Sequence, residues 1–199
     1  MRNFKAALAT VALCLCFGGI AIADVYYYLY EYTINTDNAA IIIEVETNNP
    51  SSPGAEFTAV TAEQLHQKGY QTPSEYEASA DVIDKDGFID WTASSWINKG
   101  YKNGNATKWV VCGSRTGRNF LQGPGTLFVA CSTFSISYSP PPPHRALAFT
   151  KEHPTYGYYT NLTFYHEYSA TKGYGWEQKG RHHIGNPNDM RYTRAYVYW

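Results

Sequence analysis

The side chains able to do chemistry in this 199-residue chain are six histidines, four cysteines and a short run of aspartates. His166 is the most informative of them. In the alternating segment Tyr158 to Glu167, Leu162, Phe164 and His166 share one face, while Asn161, Thr163, Tyr165 and Glu167 take the other. A histidine pointing inward at a strand end is placed for general acid–base work in a cleft, and equally for a hydrogen-bonded place in a core. Asp84, Asp86 and Asp90 around Gly87 fit the middle of a calcium-binding loop, but Val82 and Ala93 stand where its first carboxylate and closing glutamate belong. A hairpin turn at Asp86-Gly87 explains the segment better. His182 and His183 are adjacent in a Gly-rich basic stretch, and neighbouring residues rarely converge on one metal. No metal or cofactor is therefore expected.

Metal-free cleavage of RNA needs a base, an acid and a cation that holds the phosphate. His166, Arg145 after the proline run, glutamates of the N-terminal half and many tyrosines for base stacking supply the residue types. The architecture would be analogous to that of small secreted fungal ribonucleases. Their Tyr-Pro-His strand signature is absent, and Pro143-His144-Arg145 does not replace it. A serine-hydrolase elbow is also missing, since Gly113-Ser114-Arg115 lacks the flanking glycines of Gly-x-Ser-x-Gly.

The N-terminus sets the compartment that the sequence predicts. Arg2 and Lys5 precede an uncharged apolar run from Ala6 to Ile20, which ends in Ala21-Ile22-Ala23. This reads as a signal peptide over residues 1–23, with the mature chain starting at Asp24. The run falls short of the roughly 18 apolar residues of a membrane span, so the expected product is an exported protein with no membrane span. Residues 24–199 suit a single β-rich domain. Cys14 and Cys16 depart with the leader, and Cys112 and Cys131 are expected to pair as one disulfide in an oxidising compartment. Asn105-Ala106-Thr107 and Asn161-Leu162-Thr163 are glycosylation acceptors in a eukaryotic secretory pathway.

The formal charge of −1 hides a segregation. Asp24 to Asp90 carries 13 acidic residues against Lys68 and Lys85, whereas Trp91 to Trp199 carries 12 basic residues against Glu152, Glu167, Glu177 and Asp189. Either the halves neutralise each other, or the basic half offers a surface to an anionic partner.

The elements that must position these residues are mostly strands. With 18 Tyr, 9 Phe, 5 Trp, 16 Gly and 10 Pro, the composition favours strands and turns. Alternation predicts strands over 24–36, 39–47, 109–112, 126–138, 144–149, 158–168 and 192–199. One helix is expected over 61–69, with a helical turn at Thr72 to Ala78. Lys172 to Pro187 reads as a loop, and Pro140 to Pro143 as an extended connection. The fold class is thus α+β, a mainly antiparallel sheet with one short helix, with an all-β sandwich or barrel as the alternative. The function expected is that of a secreted binding protein, effector-like or a toxin component, whose partner is a host or competitor protein or a glycan. Tyr174, Trp176 and Arg181 in the Gly-rich stretch are its candidate contacts. The alternative is the ribonuclease-like hydrolase built on His166 and Arg145, with RNA as substrate.

Overall fold

The computed structural model describes residues 23–77, 85–87, 91–118, 123–137 and 143–198. The leader, the ends of the aspartate motif and the proline run as far as Pro142 lie outside the described residues. In chain order the elements are β1 (Asp24–Ile34), β2 (Asp37–Thr47), β3 (Thr58–Val60), α1 (Ala62–Gln67), α2 (Pro73–Glu77), β4 (Lys85–Gly87), β5 (Trp91–Lys102), β6 (Thr107–Arg118), β7 (Gly125–Ser137), β8 (His144–Gly157), β9 (Tyr159–Ser169), β10 (Tyr174–Ile184) and β11 (Arg191–Val197). They form a seven-stranded sheet, β3-β1-β2-β9-β6-β5-β4, and a four-stranded sheet, β11-β10-β7-β8. Every pairing in both sheets is antiparallel. Neither sheet closes on itself, so the architecture is β-rich with two short helices and no barrel.

Period-2 alternation explains the layering. On β2, Ile41, Ile43 and Val45 enter the core between the sheets, with Val110 and Cys112 of β6, Val129 and Cys131 of β7, Phe164 of β9 and Trp176 of β10. The intervening Ala40 and Ile42 face the other way, where Leu65 of α1 and Tyr76 of α2 cover them together with Leu29, Trp96, Val111 and Tyr165. The helix layer is fastened by local chemistry. The Thr61 hydroxyl accepts from the Gln64 N–H and the Gln64 side chain accepts from the Thr61 N–H, a reciprocal capping box. Gly69, with φ +85°, ends the helix as expected. Glu44 of β2 is buried beneath α2 and accepts from the Ser74 N–H at 3.1 Å and the Ser74 hydroxyl at 2.6 Å. The outer face of the four-stranded sheet has no such cover among the described residues.

Three expectations need correction. The β1–β2 turn falls at Asn35 and Thr36, both with positive φ as a tight two-residue hairpin requires, one residue before the expected position. Asp86 pairs with Ala93 and Gly87 with Thr92, so Asp86-Gly87 belongs to a strand, and residues 88–90 lie outside the described residues. Lys172 to Pro187 is largely strand β10, not loop. Its inward positions are Trp176, Gln178, Gly180 and His182, all buried. Polar residues and a glycine at inward sites erase the hydrophobic period that would have revealed the strand.

Those residues build a hydrogen-bonded chain between the sheets. The Thr133 hydroxyl donates to Gln178 Oε1 at 2.5 Å, and Gln178 Nε2 donates to Ser114 at 2.8 Å. Ser114 meets Ser95 at 2.9 Å, Ser95 meets Thr193 at 2.5 Å, and Thr193 meets His182 Nε2 at 2.7 Å. His182 Nδ1 lies 2.9 Å from Thr116, whose hydroxyl donates to the Phe128 carbonyl at 2.8 Å. The two ends fix every direction. Because Thr116 spends its proton on a carbonyl, His182 must donate from Nδ1 and accept at Nε2 from Thr193. Ser95 then donates to Thr193, and Ser114 to Ser95. Gly180 sits beside this chain, and a Cβ there would lie 2.6 Å from both Ser95 Oγ and Thr193 Oγ1 and closer still to His182 Nε2.

Burial holds three imidazoles neutral: His153 and His166 titrate near 4 and His182 near 3. Below the ordinary value of 6.5 the unfolded chain therefore binds more protons than the folded one, and stability falls as pH falls from 6.5 toward 4. Each histidine removes about 2 kcal/mol by pH 5 on this count. Urea unfolding at pH 7.5, 6 and 5 should show a steep loss of midpoint, and an unchanged midpoint would contradict neutral burial. At pH 7.5, Gly180→Ala should lose about 1–3 kcal/mol by overpacking the chain.

Candidate functional site

His166 and Arg145 do not form a catalytic pair. His166 lies in the inter-sheet core among Phe164, Tyr168 and Trp176, with the Trp176 ring centroid 5.6 Å away. Desolvation lowers its pKa to about 4, against the pull of Asp37, whose carboxylate is 3.7 Å from Nε2. Arg145 lies on the far side of the four-stranded sheet, its guanidinium 3.5 Å from the Phe134 ring centroid and 2.5 Å from Glu177. Trp176 and Glu177 are consecutive on β10 and point to opposite faces, so the sheet itself stands between base and cation. Glu167 is held away from His166 by Tyr165 and Lys102.

The other sequence candidates divide. Trp176 is a core residue, 1% exposed, whose indole N–H donates to the Tyr168 hydroxyl at 3.0 Å. Tyr174 is half-buried and packs edge-on against Trp176. Arg181 is exposed on the outer face. Asn161 is wholly buried at the centre of the large sheet, which leaves no room for a glycan, while Asn105 is exposed in the β5–β6 turn. Cys112 and Cys131 are free thiols; no bond joins them. Each meets a polar partner instead, Thr133 beside Cys112 and Gln178 beside Cys131, and burial pushes Cys131 up to about 12 and Cys112 well above the ordinary thiol value. Among the described residues no three His, Cys, Asp or Glu side chains gather as metal ligands, and no helix is long and apolar enough to cross a membrane.

The structure instead assembles a surface on the uncovered face. Strand register sets its residues in rows across β11, β10, β7 and β8. One row is Tyr196, Glu177, Phe134 and Leu147; the next is Arg194, Lys179, Ser132 and Thr150; a third is Tyr192, Arg181, Ala130 and Glu152. Ser132 is small where its neighbours are long, and a hollow of about 400 Å³ opens there between Phe134, Lys179, Arg181, Tyr192 and Arg194. A second hollow of about 290 Å³ adjoins Arg181 and is lined by Thr150, Lys151 and Glu152. Tyr192 is 68% exposed and Leu147 55%.

Electrostatics gives this face its sign. The Glu177 side chain is only 2% exposed, yet Arg145, Arg194 and Lys179 all approach it. One carboxylate cannot neutralise three cations, so positive charge is left over. Arg145 also covers the Phe134 ring, and the Arg194 guanidinium lies 4.2 Å from the Tyr196 centroid, so the cations are held flat against aromatic rings. Among the described residues Arg181 meets only the exposed Glu152, at 3.8 Å. Cross-half neutralisation is seen in the pairs Lys151–Glu56 and Lys172–Asp37.

Sequence reasoning missed Phe134, Lys179, Tyr192 and Arg194 as partners of Arg181. The signal was the alternation Glu177, Lys179, Arg181, His183 against Trp176, Gln178, Gly180, His182, which only a strand assignment makes visible. No protein-family model matches the chain, and comparison with curated proteins finds no relative. Protein starting at Asp24 should show no reactive thiol to Ellman's reagent when native and two after denaturation without reductant. A count of zero after denaturation would mean the pair is oxidised.

Proposed function

We propose that this is an exported binding protein that engages its partner through the outer face of the four-stranded sheet. One observation supports the reading above all: no described residue covers an aromatic face with surplus cations, while α1 and α2 pack on the equivalent face of the other sheet. Exposed Tyr beside Arg is the composition of recognition surfaces, where rings supply area at low entropic cost and guanidinium groups supply directed hydrogen bonds. Export rests on the leader-like N-terminus, and the partner expected outside the cell is a host or competitor macromolecule, as an effector or toxin component would meet. The ribonuclease-like alternative loses its support because His166 and Arg145 face opposite sides of the small sheet.

Two variants test this. Arg181→Glu with Tyr192→Ala alters exposed side chains of the outer face, and Glu63→Lys alters the helix face. Binding to arrayed glycans and to extracellular protein extract should be lost by the first variant and kept by the second. Equal binding by both would refute the assignment of the face. Wild-type protein should also leave labelled RNA intact in EDTA; cleavage that His166→Ala abolishes would restore the enzyme.

A further inference from the structure

Resting on that reading of the same face, we propose that the hollow between Phe134 and Tyr192 takes a uronate, a sugar residue bearing a carboxylate, within an acidic polysaccharide. Its volume of about 400 Å³ lies in the lower part of the roughly 300–1,000 Å³ usual for small-ligand sites. Its walls match the two sides of such a sugar. Tyr192, 68% exposed, offers a ring on which the C–H face of a pyranose can lie, and Phe134, its ring covered by Arg145, adds apolar wall. Lys179, Arg181 and Arg194 line the same hollow and offer donors for the carboxylate.

Glu177 is the internal precedent. Its carboxylate is bound on this face by Arg194 through both Nε and a terminal nitrogen, and by Arg145 from the other side. The cations here are thus arranged to receive a planar carboxylate, the group that a guanidinium fork fits best. Glu177 occupies only part of their charge, and among the described residues Arg181 has only a solvent-screened partner. The surplus is small and local. A nucleic acid demands a longer basic track to neutralise successive phosphates. A densely sulfated chain exceeds the charge that these few cations can match. A neutral glycan leaves them unused.

The test is isothermal titration of the protein from Asp24 with a galacturonate hexamer and with its methyl-esterified form, which keeps the rings and removes the charge. The hexamer should bind, the ester should not, and Arg181→Glu or Tyr192→Ala should each weaken binding by about tenfold or more with the thermal midpoint unchanged. Absence of hexamer binding, equal binding of the ester, indifference to the variants, or tighter binding of a heparin hexasaccharide or an RNA oligomer overturns the uronate assignment. If the hexamer fails while the outer-face variant still loses partner binding in the preceding experiment, the binding face stands and only its ligand class falls. If both fail, the face is not the site.

Discussion

The buried hydrogen-bonded chain from Thr133 to the Phe128 carbonyl is the constraint on which the rest depends. Apolar packing alone would let two sheets slide, because side chains of similar size can interdigitate in several registers. Directed hydrogen bonds cannot slide, since a shift would leave several buried hydroxyls, an amide and an imidazole unpaired, each at a cost of about 1–3 kcal/mol. The chain joins β5 and β6 of the large sheet to β7, β10 and β11 of the small one. By fixing β10 and β11 from within, it fixes the outward residues of the same strands, and the rows of the outer face are a consequence.

The charge segregation of the sequence becomes a polarity of the molecule. Glu31, Glu44, Glu63 and Glu75 lie on the helix side, where Lys68, Ser74 and His66 engage three of them. The cations of the last third collect on the opposite surface around one buried carboxylate. The two arrangements considered for the charged halves are therefore both present, in different places. Lys151 and Lys172 cross over to acidic partners, while among the described residues Lys179 and Arg194 share Glu177, Arg181 meets Glu152 and Arg191 meets Asp189.

How legible this was depended on what lay under each strand. The β1 and β2 strands, the capped helix and the α2 turn followed from alternation, Thr61, Gly69 and Pro73. Antiparallel β character followed from composition. The core strand carrying Gln178, Gly180 and His182 did not, because a polar interior imitates a loop in sequence. The same misreading exposed Trp176 and hid Lys179 and Arg194. Asn161 was misplaced for a different reason: both faces of β9 are covered, so alternation there separates two interiors and says nothing about solvent.

The free edge at β8 has a bearing on how such a face can exist at all. An open sheet with a bare aromatic surface invites a neighbouring copy to add a strand. On β8, Pro154 has no N–H to offer, Lys151 and Glu152 place charges along the strand, and a bulge opposite Thr133 and Phe134 bends its first half away from the regular ladder. Lateral growth is thereby hindered along β8. The molecule can therefore keep one face of the sheet open without extending the sheet along β8.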